Sequence, residues 1–311
     1  MTVTRQQFLS LLEPKLRDIK NDIDFPRRGT IYTSFFGETV TSKKASETEF
    51  ERAGIGDFAV KAEGGLVTYT DPIAGNELVS THVRRSNGYK ITQEMLDNDQ
   101  YAEIVKLETD LQIAGDEDLE IAGHLLLNNA FTGTDSALYG FSGTGFDGAA
   151  LCSTAHTRLD GGSNQVNKPS TDADLGWTSL ADGLIQFELW VDHRGRKIRE
   201  TPAKVVVHPN DRLTLKELLG SSLKPGTSNN EINSLQGELS IESAIVTPYI
   251  TSTNDWFILG TKPQTVWYWD VQPRTAMEDD FDREIIKRKR VHGFSLRHTR
   301  WHGIYGTSGT A

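Results

Sequence analysis

A helical pattern of unusual length, between Thr92 and Phe131, constrains the fold more than any other feature of the sequence. Residues 100–131 alone would form a rod of about 48 Å, whereas a compact globule of 311 residues is only about 50 Å across. The rod would span the whole molecule, and a flattened subunit of that shape buries its surface against copies of itself. Asp97 to Asp99 predict an interruption of its first turns, and Gly115 weakens its middle. The pattern rests on apolar residues at three- and four-residue spacing: Ile104, Leu107, Leu111, Ala114, Ile121 and Leu125.

The composition excludes several classes of protein. Because 33 lysines and arginines stand against 43 aspartates and glutamates, giving a net charge of −10, no large basic face is expected for sequence-specific DNA binding. The single cysteine, Cys152, excludes an intrachain disulfide and a cysteine-based zinc cluster. All apolar runs fall far below the ~18 residues of a membrane span, and residues 1–10 contain no apolar signal core. The sequence therefore predicts a soluble chain with no membrane partner.

The sequence before the long helix divides into an arm and a long loop. Residues 1–36 predict an arm with a short amphipathic helix between Phe8 and Ile19, which docks on protein. Residues 37–88 are polar and punctuated by glycine, and they predict a loop closed by a β-hairpin with strands at Leu66–Thr70 and Glu77–Arg84. An isolated ribbon of this kind is only marginally stable, so it must lie against its own subunit or a neighbour.

The sequence after the long helix mixes helices and strands, which predicts an α+β fold. Residues 140–162 form a glycine-rich loop in this interpretation. Helices are predicted from a Thr178 cap and after Pro209, and residues 221–230 are expected to form an exposed polar tip. A basic strand closes the chain. The predicted strands are 204–208, 239–247, 256–259, 265–271 and 281–305.

Three motifs with catalytic or binding potential lack the context that their chemistry needs. Gly143 to Gly148 match the GxGxxG pattern, but no βαβ unit surrounds them. His298 and His302 lie four residues apart near His292, yet that spacing aligns metal ligands only on a helix, and the run looks extended. Cys152 shares a loop with a histidine, His156, without any further signature of thiol catalysis. We expect no catalytic residue, no metal site and no cofactor.

Two charged clusters are interpreted as structural. Residues 287–290 are all basic and follow the acidic residues 278–280 and 282, so they predict a contact strand with ion pairs rather than a nucleic-acid patch. The acidic residues Asp116, Glu117, Asp118 and Glu120 are expected to form the solvated face of the long helix.

Four stretches occur in a telling order: Ile91–Asn98 before the long helix, 203–210 before a leucine-rich helix, the strands within 232–260, and the arginine-rich run 281–305. In this order the chain resembles the major capsid proteins of tailed double-stranded-DNA phages, which have the Hong Kong 97-type fold. The first stretch resembles the entry into the family's spine helix. The second and third resemble its axial domain, and the last resembles its terminal peripheral strand.

The resemblance implies an α+β Hong Kong 97-type fold with an N-arm (1–36), an extended loop (37–88), a peripheral domain with the spine helix (89–173 and 272–311) and an axial domain (174–271). It implies a structural protein rather than an enzyme, which self-assembles into pentamers and hexamers of an icosahedral head shell around the phage genome. The protein would be part of the virion and assemble in the host cytoplasm. A net charge of −10 suits a wall that lies beside packed DNA without binding it.

The resemblance also implies partners. These are further copies of the chain, a portal, a decoration protein and a separate scaffolding protein, since the long N-terminal scaffolding segment of some relatives is lacking. Two alternatives remain open: an encapsulin-type nanocompartment shell, with a cargo site near the Phe8–Ile19 helix, and more remotely a metal- or nucleotide-dependent hydrolase. The candidates for subunit contacts are Phe50, Ile55, Phe58, Lys61, Arg84, Arg283, Lys287, Arg288 and Arg290.

Overall fold

The structure is a computed structural model, which describes residues 29–97, 101–225, 231–239, 243–280 and 282–309. The predicted helix between Phe8 and Ile19 lies outside the described residues, as do the last five positions of the predicted tip. No helix within the described ranges combines the length and apolar character that a membrane crossing needs.

The described elements alternate between helices and strands along the chain. The helices are α1 (Gln93–Asp97), α2 (Tyr101–Asn128), α3 (Trp177–Leu189) and α4 (Arg212–Gly220). The strands are β1 (Glu38–Thr41), β2 (Ser46–Ala53), β3 (Ile73–Thr81), β4 (Val83–Thr92), β5 (Phe141–Ser142), β6 (Pro202–Val207), β7 (Ala244–Val246), β8 (Trp256–Gly260), β9 (Thr265–Asp280), β10 (Ile285–His298) and β11 (Ile304–Thr307).

Helix α2 confirms the long helical pattern, with a length of about 42 Å. The short α1 ends at Asp97 and the described part of α2 begins at Tyr101; the predicted interruption at Asp97 to Asp99 falls largely on residues 98–100, outside the described ranges. The helix stops at Asn128, three residues before the predicted end. Gly133 accounts for this, because its positive φ of 63° turns the chain and its N–H bonds to the Asn129 carbonyl at 2.9 Å.

The first sheet carries α2 on one face. Its strand order is β1-β9-β10-β4, with the short β5 pairing the far end of β10. Strand β10 runs antiparallel to both β9 and β4, and its register with β4 extends from Ile285 opposite Thr92 to Phe294 opposite Val83. The N-terminal β1 joins parallel to β9 at the edge.

The second sheet has the order β11-β8-β6-β7. Two strands depart from the predicted division of the chain at 271/272. Strand β9 continues through that boundary and pairs with β10 in the first sheet, whereas the C-terminal β11 pairs with β8 in the second. The return is made at Gly303, whose φ of 88° and close approach to Pro263 exclude a side chain, and whose carbonyl accepts the Gly260 N–H at 2.7 Å.

The two-stranded ribbon is formed by different residues from those predicted. Strand β2 pairs antiparallel with β3, and residues 54–72 form the loop between them. The predicted strand Leu66–Thr70 is therefore wrong, and most of the predicted turn lies in β3. Gly75 makes this pairing possible, because a side chain there would meet the Glu51 Cβ at 2.9 Å. The second predicted strand divides at His82, since β3 pairs with β2 and β4 with β10.

Two hydrophobic cores cover both faces of the second sheet. One lies between that sheet, α2 and the first sheet, where Trp267 stacks on Phe294 at 4.7 Å between ring centroids. The other lies between the second sheet, α3 and α4, and it includes Phe187 and Leu218. A sheet buried on both faces explains why β6 and β8 are continuous apolar runs rather than alternating ones.

Candidate assembly surface

The basic strand predicted as a subunit contact turns alternate residues into the subunit's own interior. Arg288 and Arg290 are buried against α2, whereas Lys289 is exposed and Lys287 pairs with Asp280 at 2.6 Å. The alternation follows from the strand, which points successive side chains to opposite faces. The Lys287 contact agrees with the predicted pairing to the acidic run. Arg288 and Arg290, predicted at an interface, instead serve the subunit's own fold.

Arg288 forms a buried ion pair with Glu108 of α2. Its Nε and Nη2 lie 3.1 and 3.2 Å from the two carboxylate oxygens, and Glu108 is fully buried. The same carboxylate accepts the Tyr89 hydroxyl and the Gln112 side-chain amide, both at 2.8 Å. Burial and the neighbouring carboxylate together raise the pKa of Tyr89 far above its usual value. Four polar groups thus satisfy one another between helix and sheet.

Arg290 crosses α2 one turn further along. Its Nη1 donates to the Gln112 carbonyl at 2.7 Å, and its Nη2 lies 2.6 Å from Asp116. The crossing explains Gly115, since a Cβ there would lie 2.5 Å from the Arg290 guanidinium carbon. Gly115 lowers the helix propensity of this segment, but its lack of a side chain leaves room for Arg290 to reach the helix backbone.

The acidic residues of α2 are predicted from the sequence to form a solvated face. Asp116 and Glu117 are indeed exposed, but Asp118 and Glu120 are half-buried, and all four bind other elements. Asp118 accepts two hydrogen bonds from Arg85, at 2.6 and 2.7 Å, and lies 2.9 Å from His292 Nε2. Burial alone would raise the pKa of Asp118, but the hydrogen bonds from His292 and Arg85 outweigh it and lower the pKa. The charge is therefore a fixed part of the contact between α2, β4 and β10.

Glu120 and Glu117 anchor α2 on its other side. Glu120 accepts the backbone N–H groups of Ile31 and Tyr32 at 2.8 and 3.1 Å, and Glu117 accepts the Tyr249 hydroxyl at 2.6 Å. Burial raises the pKa of Glu120 despite these bonds. The long helix therefore holds the beginning of the described chain and the segment after β7 in one unit. Sequence reasoning missed these partners, although acidic residues at positions 108, 116 and 120 of an otherwise apolar pattern were the available signal.

Among the described residues, exposed large apolar side chains are most frequent in the loop 54–72 and the adjoining strand β2. Two side chains of the loop are fully exposed, Phe58 at 107% and Val60 at 101%. Phe50 of β2 is 72% exposed, and the loop's remaining exposed apolar residues are Ile55, Leu66, Val67 and Tyr69. Contiguous apolar surface of this kind marks an interaction site in a soluble protein.

The remaining interface candidates are charged and lie apart from one another. Lys61 is exposed in the same loop as Phe58, and Arg283 is exposed next to the start of β10. Arg84 is 65% exposed and pairs with Asp270 at 2.6 Å across the first sheet. The structure thus places Phe50, Ile55, Phe58 and Lys61 on β2 and the loop that follows it, whereas Lys287 and the arginine candidates lie elsewhere.

A second exposed apolar group surrounds the predicted tip. Leu213, Leu223 and Ile232 are 71%, 45% and 83% exposed. The base beneath them is organised by Asn233, which is buried and whose side chain makes four hydrogen bonds, to Trp177 Nε1, Leu235 N, Leu218 O and Ser221 O. The tip is therefore mounted on a rigid base next to α4.

The residues of the three motifs with catalytic potential take part in the packing of the subunit. The loop Gly143 to Gly148 opens no helix, and its glycines allow close approach of backbone, since a Cβ at Gly143 would lie 2.5 Å from the Gly133 carbonyl carbon. Cys152 is buried, and burial raises its thiol pKa far above the usual value. His298 and His302 lie in separate environments, and within the described ranges no group of three metal-ligating side chains converges.

Acidification is expected to destabilise the unassembled subunit between pH 6.5 and 4, because burial lowers the pKa of His124 to about 4 and those of His298 and His302 to about 3. The unfolded chain takes up these protons near pH 6.5, so the stability present above that pH is lost as the pH falls. Each histidine should contribute about 1.4 kcal/mol per pH unit. Urea unfolding at several pH values measures the slope, and His298→Leu should lower it by about one such increment. An unchanged slope would contradict the assignment.

Solved structures of phage and GTA particles resemble this subunit. The capsid of Cyanophage P-SCSP1u matches with a TM-score of 0.55 at 10% identity, over 92% of this chain and 90% of that chain. A structure of Mycobacterium phage Patience matches with a TM-score of 0.54 at 9% identity, over 100% and 91%. The capsid of a native GTA particle matches with a TM-score of 0.52 at 9% identity, over 92% of each chain. At such identities the similarity shows the fold, and it confirms the α+β Hong Kong 97-type architecture.

The sequence itself identifies the family. No curated protein matches the chain. The family model described as phage capsid protein matches residues 77–306, which include α2, the second sheet almost entirely and all strands of the first sheet except β1. The match covers well over half of the sequence, and its description agrees with the fold. The chain therefore belongs to the phage capsid protein family.

Proposed function

We propose that the chain is the major subunit of a phage head, which assembles through pentamers and hexamers into an icosahedral shell around double-stranded DNA. The observation that carries the proposal is the exposed apolar loop, where Phe58 and Val60 contact nothing in their own subunit that shields them from water. Such side chains need a partner surface. In a capsid family the partner is a further copy of the chain, over which the loop laps.

The second exposed group supports the same reading. Leu213, Leu223 and Ile232 flank the predicted tip, and Asn233 joins the described chain beside them to the end of α4. Exposed apolar side chains beside the predicted tip are suited to contacts with further copies around a five- or six-fold axis. The proposed mechanism is geometric: the loop and the tip supply contacts, and the two cores together with the ion pairs of Arg288 and Arg290 to α2 hold their relative positions. The role is structural, and no catalytic group takes part.

The charge of the chain supports a wall beside DNA rather than a specific DNA binder. The net charge of −10 opposes strong phosphate binding, and Arg288 and Arg290, the centre of its most basic run, are buried against α2. A scaffolding protein, a portal and a decoration protein complete the proposed set of partners. The assembled protein would form part of the virion, with assembly in the host cytoplasm.

Electron microscopy of the concentrated, purified chain tests the proposal. We expect capsomers, sheets or shells, with irregular products when the chain is expressed alone because a scaffolding protein sets the curvature. A monomer under all salt and crowding conditions would contradict the shell function. Uniform shells from this chain alone would argue against a separate scaffolding protein. Shells that enclose a protein rather than nucleic acid would indicate a nanocompartment instead.

A further inference from the structure

The loop 54–72 is attached to its own subunit at two places, of which the first is its base. The base is the ribbon of β2 and β3, held by Arg297, whose Nη1 donates to the Val79 carbonyl at 3.1 Å and to the Ser80 hydroxyl at 3.2 Å. Arg297 is 2% exposed. On the other strand, the buried Glu51 carboxylate lies 2.8 Å from Nε2 of His193, so the base is also joined to the segment between α3 and β6. Because these groups are buried, breaking their contacts would leave buried polar atoms without hydrogen-bond partners.

The second attachment is a turn between α3 and β6, residues 192–196. Arg194 reaches both ends of the loop at once, since its Nε donates to the Gly54 carbonyl at 2.9 Å and its Nη2 to the Asp71 carbonyl at 2.8 Å. Arg196 donates from Nε to Asp57 at 3.0 Å and from Nη2 to the Ile55 carbonyl. Two side chains of one turn therefore close the neck of the loop.

The turn presents its arginines in a fixed direction. The Asp192 carboxylate accepts the N–H groups of both Arg194 and Arg196 at 2.8 Å, and Gly195 adopts a φ of 79° that a side chain would oppose. The contacts themselves are near water, because Arg196 is 46% and Asp57 77% exposed in their side chains. Exposed ion pairs of this kind are individually weak and sensitive to salt. The base is thus firmly attached, whereas the second attachment is reversible.

We propose that Arg194 and Arg196 form a latch that fixes the direction of the loop, and that they act as positioning residues for the contact with a neighbouring copy. Release of the latch leaves the loop free to move about its buried base. A latched loop meets its neighbour already ordered, whereas a free loop loses conformational freedom on contact. The latch is a property of the single subunit. Only its consequence for assembly rests on the proposed function.

Distance measurements between spin labels test the latch in the unassembled subunit. Labels at Lys61→Cys and Glu188→Cys report the distance between the loop and the exposed side of α3, and the buried Cys152 stays unlabelled. We expect a narrow distance distribution, which Arg194→Ala with Arg196→Ala broadens at unchanged melting temperature. Arg199→Ala is the matched control, an exposed arginine of the same segment outside the latch. Equal widths in the latch variant and the control would overturn the proposal.

Two further measurements complete the test. Arg196→Asp and Asp57→Arg should each broaden the distribution, and the double variant should narrow it again, because the ion pair is restored with reversed charges. In assembly followed by light scattering, the Arg194→Ala and Arg196→Ala variant should form particles at least about tenfold more slowly than Arg199→Ala. Equal assembly rates with a broadened distribution would overturn the positioning role. If even the unaltered chain forms no particles, the proposed function fails, while the distance distributions still decide whether the latch exists.

Discussion

Replacing Glu108 by methionine is expected to lower the free energy of unfolding of the subunit by about 3–5 kcal/mol. Glu108 is fully buried, and its removal leaves the Arg288 guanidinium buried without a counter-charge. The Tyr89 hydroxyl and the Gln112 amide lose their acceptor at the same time. Urea unfolding of the unassembled subunit, followed by tryptophan fluorescence, measures the change.

The double variant Glu108→Met with Arg288→Met shows how much of the lost stability comes from the unpaired charge and how much from loss of the ion pair itself. Because it leaves no buried charge, we expect its stability to recover to within about 2 kcal/mol of the unaltered protein. Glu47→Gln removes the exposed pair with Lys44, whose side chain is 72% exposed, and it should cost less than about 1 kcal/mol. A single Glu108→Met variant as stable as this control would show that the buried pair does not hold the helix on the sheet.

The long helix and strands β6 and β8 could be predicted because their patterns depend on a core within the same subunit. Strand β11 could not, since it was predicted as part of one strand over 281–305. The apolar spacing of α2 and the continuous runs of β6 and β8 each report burial by neighbouring elements. Helix α4 could be predicted for the same reason, because its leucines are buried in the core beside the second sheet. Where apolar residues mark a subunit's own interior, sequence periodicity is a reliable guide.

The ribbon of β2 and β3 could not be predicted because its apolar residues do not mark the interior of the subunit. Strand β2 is largely polar, with several exposed residues, whereas the apolar run Leu66 to Tyr69 belongs to the loop. An apolar run normally indicates a strand against a core. In this chain it supplies surface for contact outside the subunit, so periodicity assigned the strand to the wrong residues.

The ion pairs between β10 and α2 could not be predicted from the sequence for another reason. In β10 the residues at 287 to 290 are all basic, so charge alone does not show which face of the strand turns inward. Strand alternation places 288 and 290 on one face, and the polar side chains of Glu108, Gln112 and Asp116, spaced by four, lie opposite them on α2. The two stripes match only after the register of helix and sheet is known, which depends on the tertiary fold.

Replacing Phe58, Val60 and Leu66 together by serine is expected to abolish assembly without destabilising the subunit. These side chains are 107%, 101% and 95% exposed, so the folded subunit loses no burial when they are shortened. Burying three such side chains against a neighbour contributes about 5–9 kcal/mol per contact before the cost of ordering the loop. We therefore expect the protein concentration needed for assembly to rise at least about a hundredfold.

Light scattering and electron microscopy over a concentration series measure this threshold, and thermal unfolding checks the subunit. Thr68→Ser is the matched control, because it lies exposed in the same loop and keeps its hydroxyl. The control should assemble like the unaltered chain, and all variants should melt within a few degrees of one another. If the serine variant assembles at the same threshold as Thr68→Ser, the exposed apolar loop is not the contact that builds the shell. If it unfolds at a much lower temperature, the three side chains stabilise their own subunit. Only loss of assembly with an intact fold fits a loop whose apolar side chains are buried by the next copy of the chain.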